Sequence, residues 1–285
     1  MVGSTVGRYT IARTWELTPR MLSSFAAGVN DPNPAYFDDA REGGVLAHPG
    51  QVFTFHWNTR FMPGVTYSRE ENLKGVHAWV DIRYARPMRQ GDVITAQGRH
   101  IEVRRIAPGM LTVTRITMTD ALGEEVAVMD SGGISRGLWR DVPDERLAEV
   151  PSRPEPSGNA GEPAWSTTFT IPREAAHLYT ECADIYNDIH TERSAALEAG
   201  LKDIILQGGA TMSIAIREVV NRSLGGDPGT VTRVAGQFRA MVTPGEEVTV
   251  RCIEERDTED GRAVFFEFLN QDGAPAIYRG LVVAK

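Results

Sequence analysis

The sequence predicts an α+β protein built from two copies of one unit, each with a buried helix against antiparallel strands. Runs rich in Val, Ile and Thr, with apolar residues at alternate positions, fill positions 76–134 and return from position 232 onward. Such runs are typical of half-buried strands. Positions 204–215 are almost wholly apolar, so a helix formed there has to be buried. Grouped strands with a helix on one face indicate the α+β class.

The same order of elements occurs twice at a constant offset. Asn33 and Asn187 are 154 positions apart, and so are Gly91 and Gly245, which lie in matching turns between strands. Matches of this kind in matching contexts indicate a duplicated unit. The first copy begins with a short helix, for which Thr18 is the expected N-cap because a proline follows it.

A segment rich in Pro, Glu and Ser, without hydrophobic periodicity, separates the two copies at positions 139–163. This composition is typical of a linker with few contacts. We therefore predict an N-terminal domain at 1–140, a linker at 141–163 and a C-terminal domain at 164–285. The second copy is expected to open with a strand and a helix that starts at Pro172.

Length and composition exclude several classes of protein. The 285 residues are 41% apolar and 24% charged, which is ordinary for a folded globular chain. The net charge of −8 argues against nucleic acid as a partner. The two cysteines form no metal-ligand pattern, and we expect neither a metal nor a cofactor. No secretory leader and no apolar run of about 18 residues is visible, so we expect a cytoplasmic protein that does not enter a membrane.

A polar, turn-prone loop lies directly before the apolar segment and holds Asp184, Asn187, Asp188 and His190. The expected helix opens on glycines, beginning with Gly208. The loop can supply an acid and a base, and the helix start can supply backbone N–H groups that have no intrahelical partner. Together they predict a site of acid–base catalysis.

This stretch resembles the hydratase-2 motif of MaoC-like enoyl-CoA hydratases and dehydratases, which reads Asp-x-Asn-Pro-x-His and, further on, His-Gly. Asn187, His190 and Gly208 match the Asn, the catalytic His and the Gly of that motif. The chain departs from the motif at other positions, since Ile185 stands in place of the Asp and Gln207 in place of the second His.

The resemblance implies a double hot dog fold, in which two antiparallel sheets are each wrapped around a long central helix. Single-domain proteins of that fold associate so that their sheets run together, and here the duplication would supply the pseudo-dimer within one chain. A homodimer of two such chains is left open. The implied substrate is an acyl thioester of CoA or of an acyl carrier protein, as in fatty acid metabolism, without a cofactor.

The implied reaction is reversible syn addition of water across the double bond of a 2-enoyl thioester, a hydro-lyase activity. His190 is the expected base, because an unperturbed imidazole titrates near neutral pH. The N–H of Gly208 is expected to bind the thioester oxygen. The acid is expected to be Asp184, one residue before the motif position, with Asp188 and Glu192 as alternatives.

Further residues are expected to contact the substrate. They are Asn187, Tyr186 and Gln207 around the loop, and Arg83 and Arg86 for the phosphates of coenzyme A. Arginines on exposed strand faces are equally ordinary, so the last two have an alternative interpretation. The remaining histidines show no ligand spacing and are interpreted as structural or exposed; they are His48, His56, His77, His100 and His177.

The N-terminal copy matches the first part of the motif with Asp31 and Asn33 but has Tyr36 where the catalytic His is needed. Its His-Gly position reads His48-Pro49, and proline has no N–H to donate to an oxyanion. We therefore expect a non-catalytic half that shapes the acyl tunnel and keeps Asp31 and Asn33 as turn-forming residues.

Two other functions fit the same residues. The isoleucine at position 185 and the glutamine at position 207 favour a non-catalytic subunit that binds or scaffolds acyl thioesters. Hydrolysis of the thioester is another reaction of the hot dog fold, and the fold alone does not choose between them. Retention of His190 and Gly208 places hydration or dehydration first.

Overall fold

The computed structural model of the protein describes residues 4–139, 141–158 and 162–285. The predicted domain boundary at position 140 and positions 159–161 of the predicted linker lie outside the described residues. Within those ranges, no helix has both the length and the apolar character needed to cross a membrane.

The two halves contain closely similar successions of helices and strands. The elements of the N-terminal half are β1 (Arg13–Glu16), α1 (Pro19–Gly28), α2 (Val52–Thr59), α3 (Arg69–Lys74), β2 (Gly75–Tyr84), β3 (Val93–Ile106), β4 (Gly109–Thr119) and β5 (Glu125–Arg136). A short strand, β6 (Glu145–Arg146), follows in the predicted linker. The elements of the C-terminal half are β7 (Trp165–Thr170), α4 (Ala175–Ala183), α5 (Arg193–Glu198), α6 (Gly208–Ser223), β8 (Val231–Phe238), β9 (Glu247–Thr258), β10 (Gly261–Leu269) and β11 (Pro275–Ala284). Short 3-10 turns occur at Pro34–Tyr36, Pro49–Gln51, Asp188–His190 and Pro228–Thr230.

The described strands form one antiparallel sheet of eleven strands, in the order β1-β3-β4-β5-β2-β8-β11-β10-β9-β7, with β6 also paired to β3. Strands β2 and β8 join the two halves, and Asp81 lies opposite Ala235 in their register. These two residues are also 154 positions apart, so a pseudo-two-fold axis passes between them. The two predicted sheets therefore run together into one.

The same axis passes between the first helices of the two halves, α1 and α4. The rings of Phe25 and Tyr179 are 5.6 Å apart and meet edge to face. A Cβ added to Gly28 would lie 2.7 Å from the Cβ of Cys182, so only glycine permits this close approach. Both pairs have the offset of 154. Equivalent residues thus pack against each other, and the two halves form the predicted pseudo-dimer.

The first helix of each half begins with a proline-containing turn. Thr18 caps α1 as predicted, and its hydroxyl accepts the Met21 N–H at 3.2 Å. The corresponding helix α4 was expected to start at Pro172 but starts at Ala175, whose N–H bonds to the Pro172 carbonyl at 3.0 Å. Pro172 therefore forms a turn that leads into the helix, not its first residue.

The long central helix of the C-terminal half, α6, extends well beyond the apolar run at 204–215 that predicted it. Its later turns include Arg217, which is only 8% exposed. This guanidinium donates to the carbonyls of Val29 and Asn30 at 2.9 and 3.1 Å. A long polar side chain is thus buried because the backbone of the other half supplies its acceptors.

The outer face of the junction between β2 and β8 carries a network of buried charges. Arg233 binds Asp81 through two hydrogen bonds of 2.7 and 3.0 Å. Arg115 binds Asp130 in the same bidentate way at 2.7 and 3.0 Å. Arg83 joins the two pairs, at 2.8 Å from Asp130 and 3.3 Å from Asp81. Bidentate pairs of this kind fix orientation as well as charge.

The predicted linker makes many contacts, so the expectation of few contacts is wrong for its described part. Arg233 donates to the carbonyls of Pro151 and Ser152 at 3.1 and 2.9 Å. Arg115 donates to the Glu149 carbonyl at 2.9 Å, and β6 pairs with β3. Composition could not reveal this, because the contacts use linker backbone atoms and arginines from distant strands.

Candidate functional site

The N-terminus of α6 presents an unused backbone donor. The helix begins at Gly208, and the first intrahelical bond runs from the Thr211 N–H to the Gln207 carbonyl at 2.9 Å. The side chain of Gln207 does not cap the helix, because its Nε2 donates to the Ala176 carbonyl and the Thr180 hydroxyl at 2.9 and 2.8 Å. Among the described residues, no acceptor engages the Gly208 N–H, which lies at the positive end of the helix.

His190 is held by the segment that leads into this helix. Its Nδ1 is 2.7 Å from the carbonyl oxygen of Ile205, three residues before Gly208. Because a carbonyl can only accept, we assign the proton to Nδ1, which leaves Nε2 as an acceptor. Burial lowers the pKa of the imidazole to about 4, against the opposing effect of the Ile205 bond. His190 is therefore neutral at pH 7, so its pKa lies below the unperturbed value near neutrality.

The structure does not bring Asp184 together with His190. Asp184 is the C-cap of α4, has a left-handed backbone with φ of 54°, and is exposed. Its carbonyl accepts a hydrogen bond from the Asn58 amide at 2.8 Å. Ile185, at the motif position of the acid, is 6% exposed and packs in the core. Among the described residues, the Asp184 carboxylate makes no direct contact with the imidazole, and its assignment as the acid stays a prediction.

The two alternative carboxylates are also separate from the imidazole. Asp188 and Glu192 are exposed. Within the described part of the chain, no carboxylate oxygen lies within 4.0 Å of a His190 ring nitrogen. The loop therefore supplies a base without an adjacent acid. No group of three or more His, Cys, Asp or Glu side chains is placed to hold a metal ion in these ranges.

The other residues expected to bind substrate around the loop have different surroundings. Asn187 is half-buried, and its carbonyl accepts the N–H of His190 at 3.0 Å. Tyr186 is 53% exposed and donates to Glu181 at 3.1 Å. Gln207 is 2% exposed, and its Oε1 has no hydrogen-bond partner among the described residues. Of the three, only Asn187 combines proximity to His190 with accessible surface.

The two arginines expected to meet coenzyme A phosphates are neutralised within the protein. Arg83 belongs to the junction network through Asp130. Arg86 lies 2.7 Å from Asp92, and this hydrogen bond raises the pKa of the guanidinium. To bind a phosphate of coenzyme A, either arginine would have to give up the ion pair that it already makes within the protein. The structure therefore favours the ordinary interpretation of both arginines as structural.

The corresponding region of the N-terminal half is closed. Asp31, Tyr36 and His48 are at most 1% exposed, and the Asp31 carboxylate is 3.6 Å from His48 Nε2. Asp31 accepts the Asn33 N–H at 3.1 Å, the turn-forming role that was expected. His48 Nδ1 accepts the Gly50 N–H at 2.9 Å, so the helix start here is capped. Burial raises the pKa of Asp31 and lowers that of His48 to about 3.

Two histidines that sequence reasoning left aside lie beside the start of α6. A Cβ added to Gly208 would be 3.4 Å from the ring of Phe238. That ring is 4.6 Å from His77, which is 5.4 Å from His56. Both imidazoles come from the N-terminal half and keep accessible surface. No local spacing could have found them, because the junction of β2 with β8 brings them to this place.

A continuous antiparallel sheet packed on central helices, with two halves related by a pseudo-two-fold axis, defines a double hot dog protein. Two solved structures share this architecture. A MaoC-like dehydratase from Phytophthora capsici has a TM-score of 0.83 at 21% identity, covering 99% of this chain and 97% of that chain. A Mycobacterium tuberculosis protein with a double hot dog fold has a TM-score of 0.63 at 15% identity, covering 98% and 95%.

The chain belongs to the MaoC-like dehydratase family. Residues 4–129 match the model of the FAS1-like dehydratase domain region, and residues 159–267 match that of the MaoC-like domain. A UPF0336 protein of Streptomyces coelicolor is 31% identical over 136 residues, which are 43% of this chain and 87% of the relative. The peroxisomal enoyl-CoA hydratase 2 of Arabidopsis thaliana is 36% identical over 77 residues, which are 27% of this chain and 24% of that protein.

Proposed function

We propose that the C-terminal half hydrates 2-enoyl thioesters, or dehydrates 3-hydroxyacyl thioesters, carried on CoA or an acyl carrier protein. The observation that carries the proposal is that one short segment holds both working groups. It binds the ring of His190 through the Ile205 carbonyl and then begins α6 with the N–H of Gly208, which has no acceptor among the described residues. The similarity to an enoyl-CoA hydratase 2 supports this substrate class.

His190 can serve as base and acid in turn. Its Nε2 takes a proton from water as the water oxygen bonds to carbon 3 of the enoyl group. The electron pair of the double bond moves to the thioester oxygen, which the Gly208 N–H and the helix dipole stabilise. The imidazolium then returns the proton to carbon 2 on the same face, which completes the addition of one water. The lowered pKa of about 4 makes that imidazolium a strong donor.

We assign the N-terminal half, 1–140, a non-catalytic role that shapes the acyl site, with the linker at 141–163 and the working half at 164–285. The buried state of Tyr36 and the capping of Gly50 by His48 support this division. Catalysis of this reaction needs a base that the substrate can reach and a backbone N–H that is free to bind the oxyanion. The buried region around Tyr36 and His48 offers neither.

A second candidate is a non-catalytic subunit that binds acyl thioesters. It is favoured by the core packing of Ile185 and by the separation of His190 from Asp184, Asp188 and Glu192. Such a subunit would bind a thioester through the Gly208 N–H and turn nothing over.

The test uses purified protein with a panel of 2-enoyl-CoA thioesters, following gain of water by mass. His190→Gln keeps a donor near Ile205 but removes the base, and turnover should fall about one hundred to ten thousandfold. Tyr36→Phe is the matched control, because Tyr36 is the equivalent position in the other half. If Tyr36→Phe loses turnover while His190→Gln keeps it, the catalytic site lies in the N-terminal half. Binding without turnover by the unaltered protein would establish the second candidate.

A further inference from the structure

A cavity of about 310 Å³ lies where the starts of α1 and α2 meet the C-terminal end of α4. The N-terminal half lines it with Trp15 and Gln51, and the C-terminal half lines it with Ala183 and Asp184. Its volume is at the lower end of the range for small-molecule sites. Among its described lining residues, neither the proposed base nor the proposed oxyanion donor occurs. The cavity is therefore separate from these two groups.

Two buried oxygen acceptors belong to residues that line this cavity. Gln51 is 0% exposed, and its Nε2 donates to the Thr54 hydroxyl at 3.1 Å, whereas its Oε1 has no partner among the described residues. Ala183 is 1% exposed, and no donor in the described ranges engages its carbonyl. Buried acceptors in this state are costly unless a donor reaches them. The cavity therefore suits a ligand that donates hydrogen bonds.

An arginine fills the corresponding region of the other half. Arg217, in α6, donates to the Val29 and Asn30 carbonyls at the end of α1, at 2.9 and 3.1 Å. Its Cζ lies 5.0 Å from the centre of the Phe169 ring, a distance at which a cation and an aromatic face attract each other. Glu218 pairs with the guanidinium at 2.9 Å. Two carbonyls at a helix end, an aromatic ring and a carboxylate thus bind one guanidinium.

The lining of the cavity repeats the surroundings of that arginine. At the offset of 154, three lining residues take the places of its partners: Ala183 for Val29, Asp184 for Asn30 and Trp15 for Phe169. Asp184 and Asn30 also share a left-handed backbone, with φ of 54° and 52°. Tryptophan attracts a cation more strongly than phenylalanine does. The cavity therefore has the same set of groups that binds a guanidinium in the other half.

A shorter side chain stands in the place of Arg217. The residues at which the turns into α2 and α6 begin are 159 positions apart, and both have φ of −59°. The same offset relates Asn58 to Arg217. The Asn58 amide donates to the Asp184 carbonyl at 2.8 Å, but among the described residues no bond joins it to Ala183. The shorter side chain leaves room beside the second carbonyl.

The charged residues at the cavity favour a cation. Glu181 and Asp184 line it against one arginine, Arg20, so the lining carries a net charge of −1. All three side chains are exposed, and salt therefore screens their effect. The position equivalent to Glu218 is Thr59. The carboxylate that pairs with the guanidinium in the other half thus has its replacement here in Glu181.

We infer that this cavity binds a guanidinium group, which lies against Trp15 and donates to the Ala183 carbonyl and to Gln51 Oε1. A guanidinium has five N–H donors and no acceptor, and both unpaired lining atoms are acceptors. Two sources can supply the group, a small guanidinium compound or an arginine side chain of another protein. The inference goes beyond the proposed function, because it assigns a second site that takes no part in hydration.

The test titrates the full chain with ethylguanidinium and follows binding by saturation-transfer NMR. N-ethylurea is the matched probe, since it has nearly the same shape but no charge and fewer donors. We expect ethylguanidinium to bind at least about tenfold more tightly than N-ethylurea. Gln51→Leu should weaken the binding of ethylguanidinium about tenfold, because it removes one acceptor for a charged donor.

Asn58→Arg supplies the guanidinium from within the chain. It should abolish ethylguanidinium binding and raise Tm by about 2 °C or more, because the new side chain satisfies the buried acceptors. The matched control is Ser194→Arg, which adds the same charge at an exposed position of α5 and should change neither measurement. A short peptide with a central arginine separates the two sources. Tighter binding by the peptide than by ethylguanidinium assigns the site to a partner protein, and weaker binding assigns it to a small molecule.

Three results would overturn the inference. They are equal binding of ethylguanidinium and N-ethylurea, no binding of either probe, and binding that Asn58→Arg leaves unchanged. Thermal unfolding shows whether each variant folds, and if Asn58→Arg does not, Gln51→Leu and the ratio of the two probes decide. None of these measurements uses hydratase activity, so failure of the inference and failure of the proposed function are distinguishable.

Discussion

Replacing Arg233 by methionine should destabilise the junction between the two halves. The guanidinium makes two hydrogen bonds to Asp81 and two to linker carbonyls, all between 2.7 and 3.1 Å. The side chains of Arg233 and Asp81 are 10% and 4% exposed. Arg233→Met therefore leaves the buried carboxylate of Asp81 with Arg83, at 3.3 Å, as its one remaining ion-pair partner among the described residues. Removal of one partner from a buried pair costs about 3–5 kcal/mol.

The measurement is the free energy of unfolding from urea titrations of the full chain, followed by two probes. Asp81→Leu should cost about as much as Arg233→Met, for the same reason. The double variant should recover most of the loss, because apolar side chains of similar volume replace a buried pair with little penalty. The coupling between the two sites would then be about 3 kcal/mol or more.

Two results would refute this reasoning. Single variants that each cost less than about 1 kcal/mol would show that the pair behaves like an exposed one. A double variant as unstable as the sum of the singles would show that each side chain acts through packing and not through the other. Arg251→Met is a suitable control, because Arg251 is 41% exposed and pairs with Glu267 on β10.

Two further predictions concern the site and the central helices. Because burial lowers the pKa of His190 to about 4, the imidazole stays neutral and able to accept a proton in mildly acidic solution. The value of kcat/KM should therefore stay constant down to about pH 5 and fall near pH 4. A fall in kcat/KM centred near pH 6.5 would show that His190 is not desolvated. Gly50→Ala would place a Cβ 2.0 Å from the Ser213 hydroxyl, whereas the nearest neighbour of a Cβ at Gly208 is the Phe238 ring at 3.4 Å. Urea unfolding should therefore show a loss of about 1–3 kcal/mol for Gly50→Ala and a change under about 1 kcal/mol for Gly208→Ala. Equal losses would contradict the close packing of Gly50 against α6.

Much of the fold could be predicted because it depends on short-range patterns. The offset of 154 between Gly91 and Gly245 identified the duplication, and both glycines have positive φ in their turns. Thr18 followed by proline fixed the first helix start. These signals act within a few residues of chain. The C-terminal end of α6 could not be predicted in this way, because burial of Arg217 depends on carbonyls of the other half.

The site was less predictable, for two physical reasons. A single left-handed residue, Asp184, ends α4, and the residue types of the loop do not predict that the chain changes direction there. The second reason is tertiary. His56 and His77 reach the start of α6 only because strands β2 and β8 pair, and no pattern within either segment records that pairing.

The unlike residues on the pseudo-two-fold axis distinguish this chain from a dimer of identical subunits. In such a dimer a residue on the axis meets its own copy, so Gly28 would face Gly28 and leave a gap, and Cys182 would face Cys182 and crowd. In this chain the small residue of one half meets the larger residue of the other. The duplication thus lets the two sides of the axis take residues of different size that fit each other, which a symmetric dimer does not allow.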